Sequence, residues 1–159
     1  MSDTAVPLVV GPREGVTIRG PAGGPLTVKV RGEQTNGTLT ALENVIAPND
    51  GPPLHTHANE EESWYVLEGD FRFMLGAEIR SAPVGSFVFV PRGTPHCFQN
   101  VGDEPGRLLV LFTPAGMEGF FDRFASLPHG SVDPDVFRSI GLEVGMEVVG
   151  PPLAASGLT

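Results

Sequence analysis

HTHANEEESWYVLEG, residues 55–69, decides how this chain is read. His55 and His57 stand one residue apart, and Glu60, Glu61 and Glu62 follow in a row. The run Trp64-Tyr65-Val66-Leu67 then leads to Gly69. In an extended strand, residues i and i+2 point to one side, so the two imidazoles can share a face. On those residues alone the metal signal is weak, and a surface His-x-His pair without a metal is the more ordinary reading. The run Trp64 to Leu67 is apolar on both alternating faces, which predicts a strand covered on both sides.

A second stretch, GSFVFVPRGTPHCFQN at 85–100, carries another histidine, His96. Pro91 fixes φ and Gly93 can take a positive φ that other residues resist, so the chain is expected to turn there. The turn sends His96 back towards the earlier strands. A polar residue at a hairpin exit is the plain alternative.

Together the two stretches resemble the paired motifs of the cupin superfamily, roughly G-x5-H-x-H-x3,4-E-x6-G and G-x5-P-x-G-x2-H-x3-N. The second is complete, as Gly85, Pro91, Gly93, His96 and Asn100. The first fits from His55 through His57 and Glu62 to Gly69 and departs at its start, where Gly51 lies too near His55. That glycine reads as part of a turn. The resemblance implies an all-β double-stranded β-helix, a jelly-roll-like barrel, here with a short helical C-terminal tail. It also implies that His55, His57, Glu62 and His96 hold one divalent transition metal. Family spacing selects Glu62, with Glu60 as second choice and Glu61 pointing the other way. Glu60 and Glu61 are expected to form a solvated acidic turn.

Three imidazoles and one carboxylate suit Fe, Mn, Ni, Co, Cu or Zn and argue against Mg and Ca, which prefer all-oxygen shells. A six-coordinate ion so held keeps two positions for substrate and O2. The expected cavity is apolar. Trp64 and Val66 share the face of Glu62, Phe98 shares that of His96, and Phe71 and Phe73 lie on the next strand. Such a lining suits a flat aromatic or polyketide-like ligand better than a sugar phosphate. The segments Tyr65–Gly69, Phe87–Gly93 and Gly145–Pro152 resemble the narrower group of small quercetin-dioxygenase-like cupins. That likeness implies a dioxygenase for flavonol-like, phenolic or enolisable molecules, with Glu62 taking a substrate proton. A non-redox isomerase, cyclase or decarboxylase and a binding protein without turnover are the alternatives.

The rest of the chain agrees with one β-rich domain. Its 159 residues are 40% hydrophobic, with 21 glycines and 16 prolines punctuating short apolar runs. A net charge of −9 with no basic cluster speaks against nucleic acid and anionic membranes as partners. The single cysteine, Cys97, permits no intrachain disulfide and, with no secretory signal in the first residues, suits the cytoplasm. Cys97 should face away from the metal and be inert, and His129 should be a surface residue.

Residues 1–35 read as an arm and first strands, 36–114 as the barrel, and 115–159 as C-terminal helices and tail. Strands are expected near Leu8-Val9-Val10, over 26–30 and 38–46, at about 62–68, 70–75, 86–90, 95–100 and 107–113, and from Met146 to Leu153. Phe120, Phe121 and Phe124 have helical spacing. Asp133-Pro134 marks a second helix start, running to about Val144 before Gly145. The strands apolar on both faces need a cover for the outer one, which predicts a homodimer.

Overall fold

The computed structural model describes residues 4–159, so the first three residues of the expected N-terminal arm lie outside the described residues. The alternating runs become strands: β1 Val16–Arg19, β2 Gly23–Val30, β3 Thr40–Ile46, β4 Pro53–His57, β5 Glu61–Glu68, β6 Asp70–Leu75, β7 Glu78–Pro83, β8 Phe87–Val90, β9 His96–Asn100, β10 Gly106–Thr113 and β11 Met146–Pro152. Two helices, α1 Glu118–Ala125 and α2 Pro134–Leu142, lie between β10 and β11. The strands form two antiparallel sheets, ordered β1-β2-β3-β10-β5-β8 and β11-β4-β9-β6-β7.

Register explains the core. On β5 the inward residues are Glu62, Trp64 and Val66, and β10 sets Phe112, Val110 and Leu108 opposite them. Phe71 and Phe73 of β6 face Asn100 and Phe98 of β9. Trp64 meets Phe73 across the two sheets at 5.2 Å between ring centroids, and Phe73 meets its strand neighbour Phe98 at 5.4 Å. Each such buried side chain contributes roughly 1.5–3 kcal/mol of burial free energy.

The helices start and stop as their sequences dictate. The Asp133 carboxylate accepts a hydrogen bond from the Asp135 N–H at 2.8 Å, and Pro134 opens α2. Gly145, at φ +77°, turns the chain into β11. Phe120, Phe121 and Phe124 form the buried face of α1.

Four expectations need correction. Leu8 to Val10 is no strand, and Val9 is 92% exposed with no partner strand to order it. The strands β1 and β7 were not foreseen. In β7 only Ala82 is buried, so the sequence carries no apolar alternation. The turn-rich break at Pro21–Pro25 is shorter than expected, since β2 already begins at Gly23. Gly51 is required by packing and not only by a turn. A Cβ there would lie 1.8 Å from the Phe98 carbonyl oxygen, because the chain entering β4 runs against β9. Among the described residues, no helix is long and apolar enough to cross a membrane.

Candidate metal centre

The two sheets deliver the ligands from opposite sides. β4 carries His55 and His57, and its neighbour β9 sets His96 directly opposite His55. The tight turn at Pro91–Thr94 makes this possible, with Gly93 at φ +82° and its N–H donating to the His57 carbonyl at 2.8 Å. Glu62 reaches in from β5 on the facing sheet. One ligand atom from each of His55, His57, Glu62 and His96 lies within 4.8 Å of the others, and all four residues are buried.

Proton placement tests whether these residues fit a cation. The Nδ1 of His55 lies 2.7 Å from the Pro53 carbonyl, and that of His96 lies 2.8 Å from the Thr94 carbonyl. A carbonyl only accepts, so both Nδ1 atoms carry hydrogen and both Nε2 atoms present lone pairs inward. The Nε2 of His96 then faces Glu62 Oε2 at 2.9 Å. Two acceptors at that distance require a cation to reconcile them, either a proton or a metal ion. The Nε2 of His57 also lies 2.9 Å from the same oxygen. The residues therefore fit a divalent ion of the borderline class.

Electrostatics favour the metal-binding forms of His55 and Glu62. Burial, helped by neighbouring His96 and His57, drives the His55 pKa down to about 3, so the ring is neutral at physiological pH. Burial alone would raise the Glu62 pKa, but the contacts with His57 and His96 outweigh it and hold the carboxyl at about 2. Both folded values lie below the ordinary 6.5 and 4.5. Their stabilising contributions are thus present above those values and are lost as pH falls towards 3 and then 2. The metal-stripped protein is expected to lose urea resistance steadily from about pH 6.5 downward. A urea midpoint unchanged between pH 7 and 4 would contradict this assignment.

Glu60 is not the solvated turn residue expected from the sequence. It is 4% exposed, tucked beside Gly116, and burial raises its pKa despite the opposing pull of His57. Its Oε2 and the Nδ1 of His57 are both buried without a hydrogen-bond partner, 3.9 Å apart. The other two imidazoles are fixed through Nδ1 by backbone carbonyls, and Glu60 is the group facing the third. Carboxylates in that place orient metal-bound histidines, and their loss typically costs about 10–100-fold in metal affinity. Glu60→Ala is expected to weaken metal binding by about that factor, with partial recovery in Glu60→Gln, as read by chelator competition. Glu61 behaves as expected, turning outward to pair with Arg92.

A cavity of about 90 Å³ opens beside His55, His57 and Glu62. Trp64 and Phe98 line it, whereas Val66, Phe71 and Phe73 are buried in the core and do not. Sequence reasoning missed the contribution of the C-terminal region, where Met117, Phe120, Phe121 and Phe137 close the far wall. The helical spacing of the phenylalanines was visible, but not the surface they would cover. Cys97 lies in the strand between His96 and Phe98, buried, with its thiol pushed up to about 11 by burial and therefore unreactive. His129 is exposed.

Residues 43–112 match the family model for the cupin domain. The chain carries a cupin domain. The matched region holds all four clustered residues and ends within β10. Among curated proteins, an uncharacterized protein of Methanocaldococcus jannaschii is 32% identical over 79 residues, or 49% of this chain and 63% of its own. The chain thus spans less than two thirds of that relative's length. The cupin fold is shared with solved structures. The polyketide cyclase RemF of Streptomyces resistomycificus has a TM-score of 0.57 and 24% identity, covering 68% of this chain and 80% of that one. A predicted oxalate decarboxylase of Thermotoga maritima has a TM-score of 0.60 and 20% identity, covering 67% of this chain and 99% of that one.

Proposed function

We propose that this cupin is a metal-dependent dioxygenase acting on a phenolic or enolisable small molecule with a flavonol-like head. The observation that carries the reading is the convergence of three buried imidazoles and one carboxylate beside an aromatic cavity. A bound Fe, Mn, Ni, Co or Cu ion would supply Lewis acidity and a redox path to O2.

The chain's own residues do the rest. Trp64 and Phe98 on one side and Phe120, Phe121 and Phe137 on the other exclude water and offer ring faces to a flat head group. Glu62 Oε2 meets both His57 and His96, and among the described residues its Oε1 forms no hydrogen bond. That second oxygen is the group placed to take a substrate proton. A carboxylate this acidic is a weak base, which suits an enol or phenol and not an unactivated C–H bond.

A second reading, a non-redox cyclase, isomerase or decarboxylase, draws support from the same aromatic lining and from the names of the two fold relatives. Retention of an unmodified ligand would instead mark a binding protein. The deciding experiment offers flavonols, phenols and 1,3-dicarbonyls to metal-loaded protein with and without oxygen. Substrate-dependent O2 uptake is expected. Turnover persisting without oxygen, or none across the panel, would overturn the dioxygenase reading.

The working form is proposed to be a cytoplasmic homodimer. Tyr65, Phe87 and Phe89 expose an aromatic patch on the outer face of β5 and β8. Light scattering should give twice the chain mass, falling to one chain mass in Phe87→Glu. A monomeric wild type would contradict the dimer.

A further inference from the structure

The cavity beside the ligands is too small for a whole substrate of the proposed kind. Its 90 Å³ admits about one ring, whereas ligand sites usually offer roughly 300–1,000 Å³. Pro21, Pro53 and Phe137 line this cavity and also line a second, outer cleft of about 1210 Å³. The outer cleft lies between β1 and β2 on one side and α2 and β11 on the other. Ile18, Phe124, Val132 and Val148 make much of its wall apolar.

Its charged residues are Arg19, Arg138 and Asp50. In a chain of net charge −9, this lining is an exception. Arg31, Arg80, Arg92, Arg107 and Arg123 are each paired to carboxylates. Among the described residues, neither Arg19 nor Arg138 has a carboxylate partner. Arg19 lies over the Phe124 ring at 4.9 Å and reaches the carbonyls of Phe124, Leu127 and Gly130 only at 3.4–3.5 Å, the outer limit of a hydrogen bond. Its Nε is buried without any partner. The Asp50 carboxylate is engaged locally, accepting from the Gly51 N–H at 2.7 Å.

We propose that the outer cleft is the second half of the substrate site, and that it holds the anionic end of an elongated apolar molecule. Arg19 and Arg138 bind a carboxylate or a similar oxyanion there, while a single enolic or phenolic ring passes Phe137 to reach Glu62. The proposal rests on the reading of the inner cavity as the substrate site. It narrows the substrate class to acidic aromatic or polyketide-like compounds. Arginine suits the role because its planar fork can give an oxyanion two parallel hydrogen bonds.

The test uses two fluorescent probes of similar shape on the full chain, 8-anilinonaphthalene-1-sulfonate and the uncharged N-phenyl-1-naphthylamine. The anionic probe should saturate at one per chain and bind more tightly than the neutral one. Arg138→Gln should weaken the anion about tenfold and leave the neutral probe unchanged. Arg138 is exposed and, among the described residues, makes no hydrogen bond, so this variant keeps the fold independently of Arg19. Arg19→Gln should act in the same direction, with partial recovery in Arg19→Lys. Equal affinity for the two probes, more than one anion per chain, or anion binding untouched by Arg19→Gln with Arg138→Gln would overturn the proposal. His96→Ala separates it from the metal reading. That variant should lose metal while still discriminating between the probes, so either result can fail without the other.

Discussion

His96→Ala should bind a divalent transition ion more than about a hundredfold more weakly than the wild type, as read by calorimetric titration with Ni or Co. Changes behind a ligand already cost about 10–100-fold, and loss of a ligand itself should exceed that. His96 faces His55 across the β4–β9 pair, with ring centroids 4.4 Å apart, and its Nε2 lies against Glu62. No described residue stands ready to replace it, since Glu60 lies behind His57 and is outside the four-residue cluster. The strand should persist, because β9 is held by its ladder to β6 as well as by β4. His129→Ala is the control. It is exposed and remote from the cluster, and its affinity should equal that of the wild type.

Asn100→Ala is expected to act on the fold alone, lowering stability by about 2–4 kcal/mol. Asn100 closes the second motif but is not one of the four clustered residues. Its Nδ2 donates to the Ile46 carbonyl at 3.0 Å and to the Glu104 carbonyl at 2.8 Å, while its Oδ1 accepts from Gly102 at 2.9 Å. It is fully buried, so truncation leaves those groups unpaired. A fall in Tm of roughly 5–15 °C follows for a chain of this size. The folded variant should still bind metal like the wild type. Lost affinity without lost stability would place Asn100 in the site instead of the scaffold.

The four-residue cluster was legible because its geometry is local. His55 and His57 need only a strand, and the Pro91–Gly93 turn needs only its own residues to return His96. Glu62 was separated from Glu60 and Glu61 by family spacing, and the β5 register agrees by placing it opposite Phe112 of β10. What was illegible depends on distant segments. Glu60 is buried where Gly116, far along the chain, lies beside its carboxylate. Phe137 enters the cavity because α2 packs α1 through the Phe120–Phe137 contact at 5.2 Å. β7 hides because an edge strand with one buried residue shows no period, and Leu8 to Val10 misleads because apolar residues make a strand only beside a partner.

Elemental analysis of untagged protein, reconstituted in turn with Fe, Mn, Co, Ni, Cu and Zn and then dialysed, tests the central claim most directly. Paramagnetic resonance of the Cu form would show which atoms hold the ion. The account predicts about one ion per chain for at least one metal, with the Cu spectrum split by imidazole nitrogens. No metal retained from any of the six solutions, or a Cu spectrum without nitrogen couplings, would contradict a centre built from His55, His57, Glu62 and His96.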